Sequence, residues 1–162
     1  AFAISDRIFV MNKGRIEQAG KQTDIYLHPK SEFVANFVGD NNTFIGPVVD
    51  KAAGRASIQS NGIRLVGDAP MDLQIGQSAQ AFVRPENIEM VGAGFAGDNV
   101  VEGTIEQIVF EGPTVRLTVD AQGTPIKINV GGPERLTLLD GGERKVRLRL
   151  LDVAIVPEHA TV

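Results

Sequence analysis

The nine residues Val83-Arg84-Pro85-Glu86-Asn87-Ile88-Glu89-Met90-Val91 have a counterpart near the end of the chain. They align with the stretch Leu148-Arg149-Leu150-Leu151-Asp152-Val153-Ala154-Ile155-Val156. An earlier pair, residues 45–48 and 102–105, aligns in the same order along the chain. Two matches in one order indicate an internal duplication, so we expect two related β units.

Apolar and polar residues alternate through most of the chain after residue 40. Val115, Leu117 and Val119 are separated by single polar residues, and 126–130 shows the same pattern. A period of two is that of a strand with one buried face. Similar short runs occur near 44–49, 56–66, 79–83, 88–91, 100–110, 146–150 and 153–156. These runs predict a mainly β fold, a sandwich or small barrel.

The β region is expected to contain two units of about 43–91 and 100–157. Between them, residues 92–99 are rich in Gly and form the predicted linker. Within the strand 100–110, the apolar positions change parity between Ile105 and Ile108, which predicts a β-bulge or a barrel corner.

The first forty residues have a different pattern. Apolar runs flank Asn12-Lys13-Gly14-Arg15, which is a hairpin signal with Gly free to adopt a positive φ. Thr23 is the predicted N-cap of a short helix that ends at His28-Pro29. Ser31 is the predicted N-cap of a second helix, which ends at Gly39. A hairpin and two short helices cannot bury their own apolar face, so residues 1–40 are expected to be the end of a larger domain.

Composition argues against several classes of function. The 162 residues include 16 basic and 20 acidic side chains, a formal charge of −4 that disfavours nucleic acids and anionic membranes as partners. The chain has no cysteine, which removes disulfides, thiolate zinc sites and thiol nucleophiles. No apolar run approaches the roughly 20 residues that a membrane span needs, and residues 1–7 do not form a signal peptide.

Three patterns that resemble ligand sites fail on their context. The G-x-G-x-x-G at 92–97 precedes a predicted strand, whereas dinucleotide binding needs a helix there. Gly14 lies one residue too far from Gly20-Lys21 for a phosphate loop, and Gln22 replaces the hydroxyl that would bind Mg²⁺. The two histidines, His28 and His159, are far apart and have no clustered ligands. We therefore predict no catalytic, cofactor-binding or metal-binding residues.

Five residues are candidates for contact with another protein: Phe82, Arg84, Glu86, Ile108 and Phe110. Phe82 has the outward parity of its strand, while core is the preferred environment for Ile108 and Phe110. Arg84-Pro85-Glu86 ends a strand tightly, and a corner locked by the Arg and the Glu explains this before a ligand does. The charged strand faces at 145–149 and 102–106 are expected to be solvated and paired, with a protein-docking surface as the alternative.

The N-terminal sequence carries a family resemblance. The stretch Ala1-Phe2-Ala3-Ile4-Ser5-Asp6-Arg7-Ile8-Phe9-Val10-Met11-Asn12-Lys13-Gly14-Arg15-Ile16-Glu17-Gln18-Ala19-Gly20 resembles ABC-transporter ATPases just after their switch histidine. Residues 24–29 and 33–39 resemble the end of the same nucleotide-binding domain. Residues 81–88, with Val83-Arg84-Pro85-Glu86 at their centre, resemble the signature of the transport-associated OB (TOBE) domain, and 103–112 resembles its second half.

The resemblance implies an OB-like TOBE domain at 41–162 that serves regulation and dimerisation, after a remnant of the nucleotide-binding domain at 1–40. The family's nucleotide-binding motifs lie upstream of Ala1, so the fragment is expected to have no catalytic residue and no cofactor. The parent subunit would be an ATPase that uses ATP and Mg²⁺. Its implied partners are a second copy and membrane permease subunits, and its implied location is the cytoplasmic side of the inner membrane.

The resemblance also suggests a subfamily and an alternative function. Residues 38–44 resemble polyamine- and ferric-iron-type importers more than sugar-type ones. Some TOBE domains bind oxyanions, so a small-ligand sensor is the first alternative, although no cluster of donors identifies a site. An OB-type nucleic-acid binder is the second alternative, and the negative charge and the 6% aromatic content argue against it. Residues 1–39, without their parent sheet, are expected to be partly disordered or to pack on a neighbouring copy.

Overall fold

The computed structural model describes residues 6–140 and 144–158, which are mainly β structure. None of the helices in these two ranges is long and apolar enough to cross a membrane. Three helices are short: α1 (Gln22–Leu27), α2 (Glu32–Val38) and α3 (Glu134–Thr137). The strands are β1 (Ile8–Asn12), β2 (Arg15–Gly20), β3 (Asn42–Ala52), β4 (Arg55–Ser60), β5 (Ile63–Asp68), β6 (Ser78–Val83), β7 (Ile88–Val91), β8 (Val100–Phe110), β9 (Thr114–Ala121), β10 (Thr124–Gly131), β11 (Lys145–Leu150) and β12 (Ala154–Pro157).

The N-terminal segment is a β-hairpin followed by two helices, as the sequence predicts. Lys13 and Gly14 both have positive φ, the geometry of a tight hairpin turn between β1 and β2. The Ser31 hydroxyl accepts a hydrogen bond from the amide of Val34 at 3.2 Å, which confirms the predicted N-cap of α2. The cap predicted for α1 was wrong, because that helix begins at Gln22 and places Thr23 inside its first turn.

The N-terminal segment has a small core of its own, in which Val10 and Ile25 are buried against Val34. Residues 6–39 are folded and contact the β region of the same chain. Packing of this segment on a neighbouring copy stays a prediction. Residues 1–5, which the prediction grouped with this segment, lie outside the described ranges.

The β region contains two sheets. Strands β3, β4, β5, β6 and β12 form a closed barrel, and the other sheet has the order β10-β9-β8-β11-β7. Each sheet is therefore completed by a strand from the other half of the sequence. Strand β7 leaves the first half to pair with β11, and β12 leaves the second half to pair with β6. The two sheets correspond to the two halves of the sequence, except that the halves exchange their last strands.

The duplication is repeated in the details of the backbone. The register of β3 against β4 shifts between Val48 and Asp50, and that of β8 against β9 shifts between Ile105 and Gln107. These two irregularities occupy equivalent positions in the alignment of the halves. The second of them confirms the β-bulge predicted from the change of parity.

Two aligned glycines allow close approach of neighbouring strands. A Cβ on Gly46 would overlap the carbonyl of Gln59. A Cβ on Gly103 would lie 2.6 Å from the carbonyl oxygen of Asp120 and 2.5 Å from a methyl group of Val119. Both glycines precede a bulge, so each long strand bends where no side chain obstructs it.

Two aligned asparagines join the halves through backbone-like hydrogen bonds. The carboxamide of Asn42 accepts from the amide of Lys127 and donates to its carbonyl, both at 2.8 Å. Asn99 makes the same pair of bonds with Val66, at 2.7 and 2.8 Å. Each side chain therefore occupies the place of a neighbouring strand and connects one sheet to the other.

One hydrophobic core extends through both halves. It takes in Phe44, Ile58 and Leu65 from the barrel strands together with buried residues of the other sheet. The alternation predicted for β9 and β10 is confirmed, because the following residues are fully buried: Val115, Leu117, Val119, Ile126 and Ile128. Burial of each such side chain contributes about 1.5–3 kcal/mol, so the shared core resists separation of the halves.

We expect Gly103→Ala to lower the free energy of unfolding by about 1–3 kcal/mol, because its methyl group must displace Asp120 or Val119. The matched control is Gly92→Ala, since a Cβ there meets nothing within 4 Å. The control should change stability by less than about 0.5 kcal/mol. Urea unfolding of the two variants measures both values, and equal stabilities would contradict the close approach described for β8 and β9.

Candidate functional site at the joint between helices and barrel

Arg84 is buried at the point where the N-terminal helices meet the barrel. The residue comes directly after β6 in the sequence and is only 4% exposed. One guanidinium nitrogen donates to the carbonyl oxygens of Ala35 at 2.9 Å and Asp40 at 3.1 Å. The other terminal nitrogen donates to the carbonyl oxygen of Tyr26 at 3.2 Å. We call this set of residues, together with Gly39, the Arg84 joint.

The carbonyls of the Arg84 joint are free to accept because of where they lie in the helices. Tyr26 is in the last turn of α1 and Ala35 is in the last turn of α2, where carbonyl oxygens have no partner within the helix. The C-terminal end of a helix also carries partial negative charge, which favours a cation. The guanidinium group therefore satisfies the ends of two helices at once, in a geometry that its planar shape suits.

The Tyr26 ring and Gly39 enclose the rest of the guanidinium group. The guanidinium carbon of Arg84 lies 4.4 Å from the centroid of the Tyr26 ring, a cation–π contact. A Cβ on Gly39 would lie 3.2 Å from a terminal nitrogen of Arg84 and 3.5 Å from the Tyr26 ring. Gly39 thus leaves just enough room for the stacked pair.

Burial disfavours the charged form and lowers the pKa of the Arg84 guanidinium, while the nearby charge of Asp40 opposes that shift. The carbonyl oxygens supply hydrogen bonds that replace those lost to water. Removing the side chain would leave helix-end carbonyls without their donor inside a closed contact.

Apolar and polar contacts surround the Arg84 joint. The α2 residue Ala35 packs against Phe82 of β6 and Val156 of β12, and all three are buried. Gln80 donates to the carboxylate of Glu32 at 3.2 Å. Because β6 belongs to the first half and β12 to the second, the N-terminal helices touch strands from both halves of the β region.

The five candidate contact residues lie in different environments. Phe82 points out of the barrel as predicted, but α2 covers it and it is 2% exposed. Ile108 is half-buried and packs against the main core. Phe110 is 55% exposed, so the preference for a core position was wrong there. The structure does not bring these residues together into one surface.

The expected Arg84–Glu86 lock at the strand end was wrong. Arg84 is held by backbone carbonyls instead, and Glu86 is exposed in the short 3₁₀ turn Pro85–Asn87. Charge pairing between neighbouring strand faces is present as expected: Arg147 lies 3.4 Å from Glu102 across β11 and β8.

The rejected motifs have structural roles in the described ranges. The glycine-rich stretch 92–97 contains no helix, and Arg147 donates to the carbonyls of Gly92, Ala93 and Phe95. His28 ends α1, and its ring nitrogen lies 3.6 Å from the carboxylate of Asp68. Residues 6–140 and 144–158 contain no group of acidic and histidine side chains placed to hold a metal ion. His159 lies outside the described ranges.

Sequence reasoning missed Tyr26, Gly39 and Gln18 as parts of this region. Gln18 is buried and bridges the carbonyl of His28 and the amide of Lys30, which joins β2 to the loop between the helices. Nothing in the periodicity of the sequence distinguishes these three residues. The alignment of the halves does offer one signal, because it pairs Arg84 with Arg149, which also stacks on an aromatic ring.

Comparison with known proteins finds a family model that matches part of the β region. The family model described as "TOBE domain" matches residues 81–150, which run from β6 to the end of β11. Residues 81–150 carry a TOBE domain.

The relatives of the chain extend beyond this TOBE domain. The chain is 36% identical over 124 residues to the spermidine/putrescine import ATP-binding protein PotA of Rubrobacter xylanophilus, a match over 75% of the chain and 32% of the relative. The chain is 36% identical over 131 residues to the Fe(3+) ions import ATP-binding protein FbpC 2 of Rhizobium meliloti. This match covers 75% of the chain and 32% of the relative. The chain is 34% identical to the sulfate/thiosulfate import ATP-binding protein CysA 2 of Chromobacterium violaceum. This match covers 77% of the chain and 32% of the relative.

The chain therefore spans about a third of the length of these import ATP-binding proteins. Among solved structures, the molybdate-bound form of the cytoplasmic molybdate-binding protein ModG matches with a TM-score of 0.58. The match covers 72% of this chain and 96% of ModG at 20% identity. At that identity the likeness shows a shared fold alone.

The two candidate phenylalanines should differ strongly in their effect on stability. Phe82→Ala empties the space beneath α2 and should cost about 3 kcal/mol of unfolding free energy. Phe110→Ala, at an exposed position, should cost less than about 1 kcal/mol. Urea unfolding provides the measurement, and a larger loss for Phe110→Ala would show that the two environments are assigned the wrong way round.

Proposed function

We propose that this chain is the C-terminal regulatory and dimerisation region of the ATP-binding subunit of an ABC importer. The observation that carries the proposal is the similarity to import ATP-binding proteins over three quarters of the chain, combined with the TOBE match. The chain itself would perform no catalysis. The parent subunit would bind ATP and Mg²⁺ and couple hydrolysis to solute uptake, with the nucleotide motifs in the part of its length that this chain does not span.

An uncovered apolar face on the N-terminal hairpin supports a larger parent domain. Phe9, Met11 and Ile16 of the two-stranded sheet are all more than half exposed, although they are large and apolar. Exposed apolar patches of this kind mark contact surfaces. In the parent subunit, this face would pack against the rest of the nucleotide-binding domain.

The proposed partners are a second copy of the subunit and the permease subunits in the membrane. The permease would be contacted through the nucleotide-binding domain, and the second copy through the TOBE region. Of the candidate contact residues, Phe110 and Glu86 are the ones exposed in this chain. The subunit would lie at the cytoplasmic side of the membrane, as an ATPase supplied with cellular ATP requires.

The proposed substrate is a polyamine or ferric iron. Relatives named for spermidine/putrescine and for Fe(3+) support this assignment. The relative named for sulfate/thiosulfate has a similar identity, 34%, so identity over this chain does not separate these solutes. Selection would lie with the permease and its binding protein.

Sedimentation equilibrium of the chain over a concentration series tests the dimerisation role. We expect weak self-association through the TOBE region, and Phe110→Asp should raise its dissociation constant at least about tenfold by burying a charge in the contact. The matched control is the triple variant Phe9→Ser, Met11→Ser and Ile16→Ser, which removes association through the uncovered hairpin face.

Association that survives in the triple variant and weakens in Phe110→Asp supports the proposal. A chain that stays monomeric at every concentration would contradict it. Association that is lost in the triple variant and unchanged in Phe110→Asp would also contradict it, because the contact would then belong to the hairpin.

A further inference from the structure

The Arg84 joint connects three separate points of the backbone to one strand end. Its acceptors are Tyr26 in α1, Ala35 in α2 and Asp40 in the connection to β3, while Arg84 itself follows β6. A planar guanidinium with acceptors in several directions is fixed in position and also in tilt. Rotation of the helices on the barrel would therefore have to break all three hydrogen bonds together.

The other contacts between the helices and the barrel are less restrictive. Ala35 presents a small apolar surface to Phe82 and Val156, and such a contact has no directional preference. Asp40, in the connection to β3, lies 3.4 Å from Arg116 of β9 in the other sheet, but its carboxylate is largely exposed and such pairs contribute little. Gln80 of β6 also donates a hydrogen bond to the carboxylate of Glu32 in α2, at 3.2 Å, but that is a single bond. The three hydrogen bonds of Arg84 are therefore the larger directional part of this contact.

The duplication provides an internal comparison. Arg149 is the aligned residue in the second half, and its guanidinium lies 5.0 Å from the centroid of the Phe95 ring. Phe95 belongs to the segment that enters the second half, just as Tyr26 belongs to the segment that enters the first. Arg149, however, is partly exposed and pairs with the carboxylate of Glu89 at 3.5 Å. Only the first of the two aligned arginines binds helix-end carbonyls among the residues described.

We propose that Arg84 is a rigid coupling, through which α1 and α2 reorient together with the barrel as one body. A displacement of the helices is passed to β6 through the guanidinium group. Strand β6 pairs with β3 of the first half and with β12 of the second, so the displacement reaches both halves. This role follows from the geometry of the chain itself and does not depend on the transport function proposed above.

Distance measurements between two spin labels test the coupling in the full chain. The sequence contains no cysteine, so Arg15→Cys on the hairpin and Ala53→Cys on the barrel can be labelled selectively. Both positions are exposed. With Arg84 present, double electron–electron resonance should give one narrow distance distribution. Arg84→Met should broaden it, whereas Arg149→Met, the matched control, should leave it unchanged.

Hydrogen exchange separates loss of coupling from general loss of stability. In Arg84→Met, amides of α1 and α2 should exchange at least about tenfold faster, while those of β3 and β9 keep their protection. A distance distribution that does not change in Arg84→Met would overturn the proposal. So would equal loss of protection in helices and barrel, because Arg84 would then act on stability alone.

Two milder variants keep the test valid if Arg84→Met does not fold. Arg84→Lys retains the charge but loses the planar fork, and Gly39→Ala crowds the guanidinium and the Tyr26 ring. Each should broaden the distance distribution less than Arg84→Met would. Wild-type distributions in both variants would count against the coupling.

Discussion

The two halves of the β region exchange their end strands, and both sheets need this exchange to be complete. The barrel closes only when β12 arrives from the end of the chain, and the second sheet receives its last strand, β7, from the first half. An unfilled place at either position would expose unpaired backbone groups and part of the core. Neither half can therefore be complete while the other is unfolded.

Several features of the sequence follow from this exchange of strands. The aligned glycines, Gly46 and Gly103, let the long strands bend, and the aligned asparagines, Asn42 and Asn99, tie each sheet to the backbone of the other. The segment between the halves is held by Arg147 through three carbonyls, so it is a fixed crossing of the chain. Because the halves share strands, a displacement of one half is passed to the other.

Much of the local structure could be predicted from the sequence. The alternation in β9 and β10, the hairpin at Lys13 and Gly14 and the cap at Ser31 each depend on a few neighbouring residues. The exchange of β7 and β12 could not be predicted, because periodicity tells which face of a strand is buried and not which sheet the strand joins.

The Arg84 joint could not be predicted from the sequence for a similar reason. Its acceptors are backbone carbonyls, which every residue has, and they come from parts of the chain up to 58 positions away. Phe82 shows the same limit. Its outward parity was predicted, yet the surface it faces is filled by α2 of the same chain and not by a partner.

Native-state hydrogen exchange across a urea series tests whether strand exchange makes the two halves one cooperative unit. We expect the most protected amides of β4 in the barrel and β9 in the second sheet to open with the same free energy and the same urea dependence. If one sheet loses protection at lower urea while the other stays closed, the halves unfold independently, which would contradict a single cooperative unit.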